Sequence, residues 1–269
     1  MPKRIAIVGL GPTGAFAAKA AHDLKCDVEI FITGDLPATT PPGAFWLHWL
    51  PQDVSGSAKP VQVYITGEGS SDNYTKRQWG KVYPSSFPTQ PVWETAYNPA
   101  DVLDKLVPSS CNMNFLQYPL SDTDIKDLSV AYDLVFQTFP TRESREYQPV
   151  LLPYVAAAKF GQEDPEKNYV FYNGKTIATG GPVVREAVLF GNHFLEFPKQ
   201  WTEEEVRHGF DLTGYTVKIL KDIDPITKPW PQPTSSKIRL LGRWATWDRK
   251  VLSHDAYSMA QKFIRELEV

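Results

Sequence analysis

The run Arg4-Ile5-Ala6-Ile7-Val8-Gly9-Leu10-Gly11-Pro12-Thr13-Gly14, continuing from Ala15 to Leu24, decides how this chain folds. An Ile- and Val-rich segment breaks at Gly9 and restarts at once with Ala and Phe at helical spacing. The pattern predicts strand, glycine turn and helix, closed by a second strand over Val28-Glu29-Ile30-Phe31-Ile32. Each glycine has a separate use in such a unit. Gly9 permits the tight turn, Gly11 lets a pyrophosphate approach the backbone, and Gly14 lets helix and strand pack closely. The N–H groups from Thr13-Gly14 onward, with the helix dipole behind them, suit phosphate; Pro12 itself contributes no donor. A G-x-G-x-x-G signature is weak alone and strong in this βαβ setting.

The signature also expects an acid at the end of the second strand to hold the ribose hydroxyls. Here that position is Ile32. Glu29 falls too early, inside the strand, which leaves Thr33, Asp35 or a residue from elsewhere.

Composition narrows the class. The 269 residues are 42% hydrophobic with a net charge of −3, enough for one compact unit or two closely joined lobes. The overall charge makes no case for nucleic acid. Cys26 and Cys111 stand in no metal or redox spacing and read as free thiols of a reducing compartment. No metal site is expected, and no stretch reaches membrane-spanning length, so the cytoplasm is the default location.

Along the chain, residues 34–43 are Pro- and Thr-rich loop, leading into the aromatic segment Ala44 to Leu50 with His48 inside it. That segment is either core or a wall against cofactor or substrate. Strands are expected at Val61–Ile65 and Met113–Leu116, a helix or turn at Asn73–Gly80, and capped helices at Asn98–Leu106 and Ser121–Leu128. Tyr132 to Pro140 reads as a buried strand whose carboxyl end, with Thr138 and Pro140, lines the ligand crevice of a doubly wound sheet or else touches nothing.

The middle of the chain reads as antiparallel hairpins. One is expected to turn at Asn173-Gly174, the other at Gly191-Asn192 between Pro182–Phe190 and His193–Phe197. Arg185 lies in an apolar strand, as a solvent-facing charge or as an anion clamp. The chain then closes with a strand from Lys237 ending at Gly242-Arg243, an aromatic loop with Trp244 and Trp247, and a Ser253-capped helix containing His254.

The opening unit, the strand Tyr132 to Pro140 and the closing Gly242-Arg243 with its helix resemble the FAD-binding lobe of amine-oxidase-like flavoproteins, the group that includes UDP-galactopyranose mutases. The resemblance covers about half the chain. It implies a discontinuous Rossmann-like FAD domain over 1–50, 98–145 and 236–269, with a smaller, mostly antiparallel β substrate lobe over 51–97 and 146–235. It implies FAD held by Gly9, Gly11, Pro12, Thr13, Gly14, Thr33, Thr138, Gly242, Arg243 and Trp247, and it offers Lys76 as counterpart of a lysine near the flavin. A plain NAD dehydrogenase does not require the C-terminal piece.

Three functions follow. The first is a flavoenzyme, oxidoreductase or lyase, that oxidises or cleaves a C–N bond of an amine or amino-acid-like substrate. That amino acid is free or carried on a larger molecule such as a modified nucleobase, a role resembling the flavoprotein lyases of phage DNA hypermodification. Arg185 would hold a carboxylate, and His48 or His254 would handle protons. The second is a non-redox mutase on a nucleotide sugar, needing convergent arginines such as Arg142, Arg145 and Arg185. The third is a non-catalytic dinucleotide-binding protein, its tryptophans marking an interaction surface.

Overall fold

The computed structural model describes residues 1–33, 46–66, 70–80, 82, 86–138, 151–174, 183–223, 235–246 and 251–267; for residues 33, 79, 151–153, 221–223, 243 and 244 it describes the backbone alone. Two sheets organise these residues. The first is a five-stranded parallel sheet of order β12-β6-β1-β2-β5. Its strands are β1 (Arg4–Val8), β2 (Asp27–Thr33), β5 (Asn112–Leu116), β6 (Leu134–Gln137) and β12 (Ile238–Leu240). The connections run outward on both sides of β1, so a switch point lies at the carboxyl ends of β1 and β6. Such a crevice is where open α/β sheets bind ligands.

Helix α1 (Pro12–Asp23) follows the glycine turn and is buried without a break from Gly14 to Ala21. Its alanines (Ala15, Ala17, Ala18, Ala20 and Ala21) leave room on every side, and Phe16 fills the centre of the core with Ile5, Ile7, Ile30 and Phe136. Full burial of a side chain the size of Phe16 is worth about 1.5–3 kcal/mol. The C-terminal helix, α7 (Asp255–Glu266), packs on α1, with Ala256, Ala260 and Ile264 joining the same core.

The second sheet has seven strands in the order β11-β7-β10-β9-β8-β3-β4. They are β3 (Ala58–Thr66), β4 (Val92–Tyr97), β7 (Leu151–Lys159), β8 (Tyr169–Asn173), β9 (Arg185–Leu189), β10 (Asn192–Glu196) and β11 (Thr216–Ile223). Every pair is antiparallel except β3 with β8. Helix α2 (Ser71–Trp79) lies at one end, and α5 (Glu203–Gly209) covers the outer face of β7, β10 and β11 through Val206. The expected helices α3 (Pro99–Leu106) and α4 (Asp122–Ala131) are present, α3 capped by Asn98 and α4 by a capping box of Ser121 and Asp124.

Four expectations are corrected. Tyr172 pairs with Arg185, so β8 and β9 are joined across residues 174–184 rather than by a two-residue turn at Asn173-Gly174. In the second hairpin Asn192 already pairs with Leu189, so the turn is Phe190-Gly191, one residue earlier than expected. Its φ values of 53° and 78° are the two positive angles of a type I′ turn. Phe190 tolerates that backbone because the buried Asn168 accepts its N–H at 2.9 Å. After Gly242 the chain forms a short helix, α6 (Gly242–Thr246), where a loop was expected. Helix α7 has His254, with no side-chain cap hydrogen bond, at its N-cap rather than Ser253, and the Asp255 carboxylate accepts the N–H of Leu252 at 2.7 Å. Among the described residues no helix is long and apolar enough to cross a membrane.

Candidate functional site

The glycine turn is built by contact. Gly9 has a φ of 96°, which L side chains rarely adopt, and its N–H donates to Phe31 O at 2.9 Å. A methyl group on Gly14 would stand 2.1 Å from the Gly9 carbonyl oxygen, so only glycine lets α1 start this close to β1. Gly11 is the reverse case: a Cβ there would meet nothing within 4 Å. It caps α1 with no side-chain hydrogen bond, Pro12 follows, and no acid stands in the first turn. The helix therefore presents backbone donors and positive dipole to open space, which suits a phosphate.

Thr138 serves the turn from β6. Its N–H donates to Val8 O at 3.0 Å and its hydroxyl to Val8 O at 2.8 Å and Gly9 O at 3.2 Å. The residue braces the turn rather than pointing a free hydroxyl at a ligand. The C-terminal end reaches the same place. Leu240 pairs with Gln137, Leu241 N–H donates to Gln137 O at 2.9 Å, and Gly242 follows with a φ of 78°. A Cβ on Gly242 would come within 2.5 Å of Thr13 Oγ1. The two chain ends thus touch at the amino end of α1.

The aromatic segment lies alongside. Leu47 pairs with Tyr97 in an antiparallel bridge, which carries His48 to the face of β4 that holds Glu94. His48 Nδ1 sits 3.3 Å from Glu94 Oε2 and 3.2 Å from the Trp46 indole nitrogen. Its ring centroid is 5.8 Å from that of His254. Burial holds the His48 pKa below its ordinary value, with Glu94 pulling it up and His254 pushing it down. The neutral imidazole is thereby favoured, the form able to take a proton.

Beneath the histidines, Trp49 stacks on Phe16 at 6.3 Å and meets Tyr257 at 5.4 Å. Tyr257 donates to Asp23 Oδ2 at 2.8 Å, and the buried Lys19 reaches Asp23 at 2.5 Å and Asp53 at 2.7 Å. This network ties α1 to α7 and fixes the floor on which His48 and His254 stand.

Arg185 lies on the second sheet, on the same face as Glu94 by strand alternation. It is paired with Glu196, which also accepts from the Tyr154 hydroxyl at 3.4 Å, and its guanidinium carbon lies 6.0 Å from the Tyr172 ring. Burial is the strongest single influence and discourages its charge, but Glu196 together with Tyr172, Tyr74 and Tyr154 more than offsets it, and the guanidinium is held more firmly protonated than usual. It is an embedded ion pair, not a solvent-facing charge.

Ile32 is 4% exposed and part of the core, so the strand-end position holds no acid. Glu29 lies within β2 and accepts from Arg4 and Asn114. Only the backbone is described at Thr33 and Arg243; Asp35, Pro140, Arg142, Arg145 and Trp247 lie outside the described residues. Lys76 is exposed on α2. A hollow lined by Arg4, Asp27, Glu29 and Asn112 lies at the amino ends of the parallel strands, the wrong end for this site.

No protein-family model and no curated protein sequence matches the chain. Solved structures do match. PqsL of P. aeruginosa, solved with 2-aminobenzoylacetate, superposes with a TM-score of 0.54 at 12% identity, over 100% of this chain and 88% of its own. An FAD-dependent oxidoreductase from Pseudomonas aeruginosa gives 0.50 at 11%, over 100% and 91%. CmlS, a flavin-dependent halogenase, gives 0.52 at 12%, over 99% of this chain and 57% of its own length. The chain has the fold of FAD-dependent oxidoreductases.

Within that fold, sequence reasoning missed Glu94, Trp46, Glu196 and Tyr257. Glu94 carries no local signal, because only the bridge between Leu47 and Tyr97 sets it beside His48. Trp46 lay inside the recognised aromatic segment, two residues from His48.

Proposed function

We propose that this chain is an FAD-dependent oxidoreductase acting at a carbon next to nitrogen in an amine or amino-acid-like substrate. The observation that carries the cofactor is the meeting of Gly242 with Thr13 at the open, uncapped start of α1. The residues fit FAD: glycine where a side chain would collide, free space in front of Gly11, and a helix terminus without competing acid. Thr13, Gly14 and Gly242 would border the pyrophosphate, with Gly9 and Thr138 holding the turn. Arg243, Thr33 and Trp247 remain proposed cofactor contacts, and 1–50, 98–145 and 236–269 the proposed FAD-binding part, with 51–97 and 146–235 the substrate part.

When bound, FAD supplies the acceptance of a hydride, which no side chain can provide. The remaining work belongs to the protein. Neutral His48, backed by His254, takes the proton of a substrate ammonium and frees the nitrogen lone pair. Arg185, kept charged by Glu196, offers a guanidinium to a substrate carboxylate. The aromatic wall of Trp46 and Trp49 keeps water from the reacting carbon. The finer likeness to amine-oxidase-like enzymes rests on Gly242-Arg243, and a carrier-attached amino acid fits the same chemistry.

The test is the visible spectrum of the purified protein with and without added FAD, followed by anaerobic mixing with amines and amino acids. Structured flavin bands that bleach with an amine support the reading. A protein that takes up no FAD overturns the cofactor, and flavin bands that no amine bleaches overturn the substrate class.

A further inference from the structure

Two hydrogen-bonding groups compete for one nitrogen. The Trp46 indole N–H, a donor only, points at His48 Nδ1 from 3.2 Å. The Glu94 carboxylate, an acceptor, faces the same Nδ1 from 3.3 Å. Neutral His48 with its proton on Nε2 accepts from Trp46 and leaves Glu94 facing a lone pair. Once Nδ1 gains a proton, it donates to Glu94 and the indole loses its acceptor. The two bonds exclude each other.

We propose that His48 is a two-position proton switch in which Glu94 and Trp46 are the positioning residues, so that protonation of Nδ1 passes its hydrogen bond from Trp46 to Glu94 and releases the Trp46 indole. Trp46 packs against the apolar cluster of Val61, Val63, Val170 and Phe194 on the inner face of the second sheet. The proton state of His48 is therefore transmitted to the aromatic wall of the crevice. The charged and titratable groups acting on His48 are Glu94 from β4 and, from the start of α7, His254 and Asp255. The assignment of His48 to proton handling rests on the function proposed above; the switch itself does not need flavin.

The experiment titrates the His48 ring nitrogens by NMR alongside the 19F resonance of Trp46 in protein labelled with 5-fluorotryptophan, assigned with Trp46→Phe. The two signals should share one midpoint. Glu94→Gln should lower the His48 midpoint by about one pH unit, since an opposite charge at this range favours the protonated ring. Trp46→Phe should raise it, since the competing donor is gone. Opposite signs from two neighbours of one nitrogen support the switch. A Trp46 resonance that ignores the His48 titration, or a midpoint unmoved by Glu94→Gln, overturns it. Should Trp46→Phe not fold, the wild-type and Glu94→Gln titrations decide alone: a tryptophan resonance that shares the His48 midpoint and moves with it in Glu94→Gln supports the switch, and the absence of any such resonance overturns it. FAD uptake is read separately by absorbance, so loss of the flavin reading is distinguishable from loss of this one.

Discussion

Gly11 and Gly14 share a motif but not a function, and substitution separates them. At Gly14 alanine gains about 1 kcal/mol of helix propensity. Its methyl group would stand 2.1 Å from a backbone oxygen that cannot step aside. Gly14→Ala is expected to lose about 1–3 kcal/mol net in urea unfolding. Gly11 has a φ of −77° and open space, so Gly11→Ala should leave stability unchanged or raise it by about 0.4–1 kcal/mol. That methyl group stands in front of the helix terminus, and FAD affinity measured by absorbance titration should fall all the same. His48 gives a residue-scale pH effect. Its folded pKa is lowered, so the unfolded chain binds its proton first as pH falls. The contribution of His48 to stability is thus complete above its unfolded pKa of about 6.5 and is lost as pH falls toward the folded value. His48→Gln should flatten the stability profile in that window, read by urea midpoints at successive pH values.

At the scale of elements, hairpin β9–β10 depends on a residue outside it. Its turn puts Phe190 at positive φ, and Asn168 accepts the Phe190 N–H while its amide donates to Pro165 O at 3.2 Å. Asn168→Ala leaves that part-buried donor unsatisfied and should cost about 1 kcal/mol, with hydrogen exchange accelerated first in β9 and β10. The consequence reaches the site, because Arg185 and Glu196 face each other at the open end of the hairpin. Helix α1 works differently. Its alanine-rich surface is buried all round, so its position is set by close packing and by the Lys19–Asp23–Tyr257 network.

For the whole molecule, the cradle at the start of α1 joins residues from both ends of the chain. A ligand bound there stabilises the folded state and has no equivalent site in the unfolded one. FAD at a hundredfold excess over its Kd should add about 2.7 kcal/mol. For a chain of this size that is a rise in Tm of about 5 °C or more. NAD at the same concentration should produce a smaller shift. Equal shifts from both dinucleotides, in differential scanning fluorimetry, would argue against an FAD-selective cradle.

By itself the sequence determined the βαβ opening, the capped helices and the mostly antiparallel character of the second sheet. These are local matters: glycine at forced positions, side-chain caps within three residues, apolar periods of 2 and 3.6. The same locality explains the errors. The turn at Phe190-Gly191 depends on Asn168, which lies 22 residues away and which no nearby residue announces. Tertiary structure alone decided that Arg185 meets Glu196, that Thr138 braces the Gly9 turn, and that Glu94 shares a nitrogen with Trp46. Those partners meet through strand register and chain crossing. The pairwise distances that set a charge or a proton exist only once the sheets have formed.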